Sequence, residues 1–501
     1  MPATTRLTRR DFLRLAGLVS ASAVVAACAP AYDRLGGPAE PSLTGPYPLS
    51  DTVTFAVLNR LTYGPRLAER ERAAEIGLAD WIEEQLAPEK IDNGPADWRL
   101  RQFDTLTMSA SDLADRSSKL FDEVDRQSVP NELRQATLLR QVYSRRQLYE
   151  AMAEFWTDHF NISVNKGDCY FLKTVDDRDV VRPHALGSFH DLLWASAHSP
   201  AMLTYLDNQA NNKEAPNENY AREIMELHTL SVQGWYTQKD VMELARAFTG
   251  WTVKEHFWRG QFTFDAAQHD NEPKMVLGLA LQGDGQREAE RALDLLAGHP
   301  SAASFIAAKL ARRFLGASAP AAIIETARAA FANSQGDIKA VLRPILFDGL
   351  LGAGTQLAPK FKRPVNFVVS ALRQLDIETD PGPALHEYLQ KMGQAYFAWP
   401  TPDGYPDRDE PWTGNLLPRW QFALALVRGE IKGAAGAVPA AAGGAPETMA
   451  DELSTRLLGR PMPATGRDDL LKTLRAAGAP AEEVPAILAA GLLASPAFQW
   501  R

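Results

Sequence analysis

The sequence predicts a mainly α protein, a multi-helix array with one small β-hairpin near residues 252–265. Apolar residues recur at helical spacing in both halves of the chain, as at Ala56, Leu58 and Leu61 and again at Ile306, Leu310 and Phe314. Gly64-Pro65 ends the first of these runs, and Pro88 ends a further run that closes at Leu86, as helix breakers do. The only convincing strand signal is Phe257-Trp258, Arg259-Gly260 and Phe262-Thr263-Phe264, which reads as a short hairpin.

Taken in order, the first element is a targeting segment. Arg9 and Arg10 form an arginine pair, Phe12 and Leu13 an apolar pair, and an uncharged run extends from Leu15 to Ala27. That layout is a twin-arginine export signal. The run is shorter than the roughly 17 to 25 residues of a spanning helix, so it reads as removable. Val25-Ala26-Ala27-Cys28 has the form of a lipoprotein box, which makes Cys28 the expected lipidation site and residues 1–28 the signal. Residues 29–50, rich in Pro and Gly, read as a tether. The expected location is the periplasm or the outer face of the cell envelope, with the chain held to the membrane by an N-terminal lipid.

Residues 51–431 form the expected helical main domain. Ala79, Trp81, Ile82 and Leu86 give a second helical run, and a polar helical stretch continues to about Arg145. Three helices are expected over 150–160, 219–232 and 238–250, the last opened by Thr237 with Asp240 three residues on, a capping-box start. In the second half Ile306, Leu310 and Phe314 oppose Lys309, Arg312 and Arg313, an amphipathic stripe. Residues 400–418 form a long loop containing Asp403-Gly404-Tyr405-Pro406-Asp407. Residues 432–446, nearly all Gly, Ala and Pro, read as a low-complexity linker, and residues 447–501 as closing helices packed on the main domain.

Composition narrows the function. A formal charge of −9 without a Lys/Arg-rich run argues against nucleic acid as a partner. There is no Gly-x-Ser-x-Gly elbow, phosphate loop, dinucleotide fingerprint or haem-attachment motif. His386-Glu387 begins like a zinc-protease helix, but Gln390 stands where the second ligand belongs.

Most of the nine histidines fall between His159 and His269, and this window carries the candidate chemistry. Arg222 and Glu226 are four apart and Glu223 and Glu226 three apart, so they share a helix face. If that face meets the helix bearing His159, then His159, Arg222, Glu223 and Glu226 form a catalytic candidate under aromatic cover. The alternative is a structural ion network. Glu226 and His228 point to different sides of a helix, which weakens a shared metal, although His228, His269 and Asp270 could supply ligands. Separately, Asp207, Gln209, Asn211 and Glu218 stand at positions 1, 3, 5 and 12 of a loop, the ligand spacing of a calcium site. A divalent metal such as calcium is the cofactor this pattern suggests. The bland reading is a polar loop satisfying its own backbone.

Several segments resemble a bacterial family of unknown function, the one numbered 1800. They are Glu154 to Asn161, Arg178 to Gly187, Tyr205 to Asn208, Pro216 to Leu230, Tyr236-Thr237, Ala245 to Trp251, Pro402 to Pro406 and Leu493 to Gln499. The resemblance implies export and a partner, a second exported protein of the family numbered 1501. Two functions follow. The favoured one is an envelope accessory protein that binds and positions a partner. The other is an envelope enzyme, a metal-assisted hydrolase with its site where the three helices meet.

Overall fold

The computed structural model describes residues 53–501 apart from 119–126, 256–258, 437, 439–444 and 478–479. Helices take up most of them, and the strands are short antiparallel pairs. The helices that set the architecture are α1 (Val53–Leu61), α2 (Ser128–Tyr143), α3 (Gln147–His159), α4 (Glu218–Glu223), α5 (Gln238–Ala247), α6 (Pro300–Leu315), α7 (Pro364–Gln374), α8 (Leu416–Val427), α9 (Pro446–Leu458) and α10 (Val484–Ala494).

Two apolar clusters form the interior. One joins Leu58, Trp81, Trp156, Phe171, Phe189, Leu244 and Leu310. The other joins Tyr63, Leu139, Phe367, Leu372, Phe422, Leu453 and Leu488, so α9 and α10 share a core with residues from the start of the folded body. Helix α1 ends where Gly64 adopts φ +99°. A Cβ there would lie 2.6 Å from the Ser370 Cβ, so the backbone passes against α7 only because this residue is Gly.

A hairpin stands where the sequence predicts one, pairing β1 (Trp251–Val253) with β2 (Phe262–Phe264), Thr252 facing Thr263, so the first strand is 251–253 rather than Phe257-Trp258, which lie outside the described residues. Two further pairs went unread. In β3 (Lys274–Val276) and β4 (Leu279–Leu281) the two-residue turn is Leu277-Gly278, both at positive φ. That geometry ordinarily calls for Asn-Gly, so Leu at the first position hid it. The third pair joins β5 (Glu378–Thr379) with β6 (Ala434–Ala435), two residues of the Gly/Ala-rich segment 432–446. The capping box at Thr237 is present: its Oγ1 accepts from the Asp240 N–H at 3.3 Å and the Asp240 carboxylate accepts from the Thr237 N–H at 2.8 Å. No described helix is long and apolar enough to cross a membrane. Arg9, Arg10, Cys28 and the tether lie outside the described residues.

Candidate functional site

Helix α3 lies between the two apolar clusters. Leu148, Met152, Phe155 and Trp156 turn into the first. Glu150, Glu154 and Asp158, each four residues from the next, occupy a different stripe and line a polar seam with Gln141, Asp177, Arg182, Arg363, Gln394, Tyr396 and Tyr405. The seam encloses a cavity of ≈ 30 Å³, room for about two waters.

Charge in the seam is closely paired. Glu154 accepts from Arg363 at 2.7 Å, from Arg313 at 2.6 Å and from the Tyr63 hydroxyl at 2.7 Å. Arg363 reaches on to Asp158 at 2.8 Å. Arg313 also holds Asp407 at 3.1 Å, and Asp407 accepts from the buried Lys360 at 2.9 Å. Burial by itself would raise the Glu154 carboxyl, but Arg363 and Arg313 outweigh it and hold it below the usual range. Asp158 goes the other way, because burial and the neighbouring Glu154 charge together exceed what Arg363 returns. These acids were not singled out from the sequence. Their spacing on α3 was visible, but the cations of Glu154 and Asp158 come from residues 313 and 363.

At the end of α3, His159 is buried beneath Phe160, Trp156 and Phe189. Its Nε2 lies 3.0 Å from the His228 carbonyl oxygen. A carbonyl only accepts, so Nε2 carries the proton and Nδ1 accepts from Lys309 Nζ at 2.8 Å. Burial, then the Lys309 charge, push the imidazole well below its ordinary value. The carbonyl is delivered by a change of helix type. After Glu223 the α4 helix widens into a π-turn over Ile224–Thr229, fixed by the Leu230 N–H on the Met225 oxygen at 2.8 Å and the Thr229 hydroxyl on the Ile224 oxygen at 2.6 Å.

The helix expected over 219–232 is therefore α4 plus this π-turn, and it does not bring the proposed catalytic set together. Arg222 stays at the surface, donating to Glu218 at 2.9 Å, Gln238 at 2.8 Å and Glu226 at 3.5 Å. Glu223 and Glu226 are half-buried on the same outer side, and burial followed by the Glu226 charge raises Glu223. His159 engages the π-turn through the His228 carbonyl and through the His228 ring, whose centroid lies 5.9 Å away, and not through Glu226. His228 is buried and Glu226 is not, as their two-residue separation predicts.

The calcium-like loop is also dispersed. Asp207 binds Lys166 at 2.7 Å, and Glu218 is held by Arg222 and Gln238. Asn211 turns inward, donating to the Ala245 oxygen at 2.9 Å and accepting from the Asn217 N–H at 2.8 Å, which is the backbone-satisfying arrangement. His269 is buried between the Thr249 oxygen at 2.8 Å and Glu288 at 3.2 Å, while Asp270 pairs with Arg246 at 2.7 Å. Among the described residues no group of three or more His, Cys, Asp or Glu side chains is placed to hold a metal.

The remaining contributor is the loop after Trp399. Gly404 adopts φ +72°, and a Cβ on it would stand 1.9 Å from the Asp158 carbonyl oxygen, so the loop rests directly on the end of α3. Asp403 accepts from Trp399 Nε1 at 2.9 Å and from the Thr401 hydroxyl at 2.5 Å, and its charge acts weakly on Lys309. Glu154, Asp158, His159, the π-turn and Gly404 fall within segments that carry the family resemblance, whereas Lys309, Arg313, Lys360 and Arg363 do not. No curated protein and no solved structure matches the chain. A family model described as "Protein of unknown function (DUF1800)" matches residues 56–500, and the chain belongs to that family.

Proposed function

We propose that this is an exported cell-envelope accessory protein that binds a partner, and that the partner is a second exported protein of the family numbered 1501. The observation that carries the reading is an exposed apolar patch. Trp235 is 87% exposed and Val232 68%, on the loop between the π-turn and α5. Met242 on α5 and Met275 on β3 are exposed as well, with the Met275 N–H held by Glu243 at 3.2 Å, which brings β3 against α5. Large apolar groups gathered at one surface mark contact sites, and Trp is the residue most often dominant in them. The acids and His159, by contrast, are committed to partners within the fold.

Two measurements test this. Binding of the purified partner, followed by calorimetry, should weaken at least about tenfold in Trp235→Ser, the cost of losing a central aromatic anchor. Unchanged affinity removes the surface. Export and anchoring rest on Arg9, Arg10 and Cys28. Replacing both arginines by lysine should retain the protein in the cytoplasm, and Cys28→Ser should release exported protein from the membrane. A double-lysine variant that is still exported counts against the twin-arginine route.

A further inference from the structure

Three of the four buried lysines of the described residues end on acids, Lys173 on Asp176 at 2.6 Å, Lys274 on Glu288 at 2.6 Å and Lys360 on Asp407 at 2.9 Å, and the fourth, Lys362, donates to the Ser370 hydroxyl at 3.1 Å. Lys309 differs. It is half-buried on α6, and among the described residues no carboxylate comes within the 4 Å of an ion pair. Its hydrogen-bond partner is the His159 Nδ1 at 2.8 Å, and its walls are aromatic, with Phe305 at 5.2 Å and Phe155 at 6.0 Å from Nζ to the ring centroids.

The imidazole is locked as an acceptor at Nδ1, because the His228 oxygen holds the proton on Nε2. It therefore takes one N–H of Lys309 and leaves the rest of the amine, including its lone pair once neutral, directed away from His159. The exposed Asp403 is among the carboxylates whose charge acts on Lys309, and the half-buried Glu223 in turn feels the Asp403 charge. We propose that Lys309 is a carbonyl-capturing amine that takes small uncharged aldehydes or ketones. The neutral Nζ adds to the carbonyl carbon, an amine proton passes to the oxygen to give a carbinolamine, and loss of water leaves the C=N bond of an imine. No other reactant is required. The aromatic walls suit an apolar carbonyl compound, and these carboxylates disfavour anionic oxo acids by like-charge repulsion.

The protonation balance supports the geometry. Burial lowers Lys309 to about 8, with Asp158, Asp407 and Asp403 opposing the shift. Near pH 7.5 that makes the free amine on the order of a hundredfold more abundant than on an ordinary lysine. This proposal is independent of the partner surface.

The test uses the full chain with propanal and cyanoborohydride at pH 7.5, mapping propylated lysines by mass spectrometry over time. Lys309 is expected to be labelled at least about tenfold faster than the exposed Lys239 and Lys391 of the same molecules, in line with its larger fraction of free amine. Its rate should level off just above pH 8, and glyoxylate, an anionic aldehyde, should label it more slowly than propanal. Lys309→Met should lose that label alone. The comparison within wild-type molecules stands even if this variant does not fold. Labelling of Lys309 no faster than Lys239 overturns the proposal, and glyoxylate reacting as fast as propanal overturns the preference for uncharged carbonyls.

Discussion

Glu154 accepts three hydrogen bonds from donors that have no other anion as close, so its removal is the most damaging single change the seam offers. Glu154→Gln leaves Arg313 and Arg363 facing an amide, and a loss of roughly 3–5 kcal/mol is expected from urea unfolding at pH 7, the scale for breaking a buried pair. A loss below about 1 kcal/mol would mean the seam is not holding the fold. Asp158 behaves oppositely. Its folded-state value is raised to about 6, so its contribution is full below the ordinary carboxyl value and lost as pH rises through the folded one. Asp158→Asn should therefore be more favourable, relative to wild type, at pH 8 than at pH 5, by about 1–3 kcal/mol. Parallel stability curves for the two proteins would refute this. The sequence exposed His159 as a residue of interest and passed over Glu154 and Asp158, its neighbours on the same helix. An aromatic-flanked histidine stands out locally, whereas an acid is distinguished only by the cations that meet it, and these are more than 150 positions away.

At the level of elements, the helices and the hairpin at Trp251–Phe264 were legible because their signals are periodic and local. The π-turn was not: it inserts no marker residue, and Ile224 to Thr229 read as ordinary helix. The loop bearing Asp403 to Asp407 was recognisable as a motif, but its role comes from one approach of backbone to backbone. Gly404→Ala would force a Cβ into the Asp158 carbonyl at a positive φ. A loss of about 2–4 kcal/mol is expected, together with faster proteolysis between Trp399 and Asp407. Retained protease resistance in that segment would show that α3 and the loop can shift to admit the methyl group.

For the molecule as a whole, the two apolar clusters meet along α3, and the ions of the seam tie them together. Melting is expected as one transition. Leu310→Ala in the first cluster and Leu488→Ala in the second should each lower that same transition, by roughly 2–5 kcal/mol at a fully buried leucine. Two separable transitions in calorimetry, each moved by one variant, would instead make the clusters independent. The C-terminal helices α9 and α10 share the second core. The wide sequence separation of the seam's partners also bears on timing. A ribosome releases Glu154 long before Arg313, Arg363 and Asp407 exist, so a nascent chain cannot bury α3 without stranding its acids. Early segments must wait, solvated, for the last third to be made, and final closure is thereby coupled to completion of synthesis.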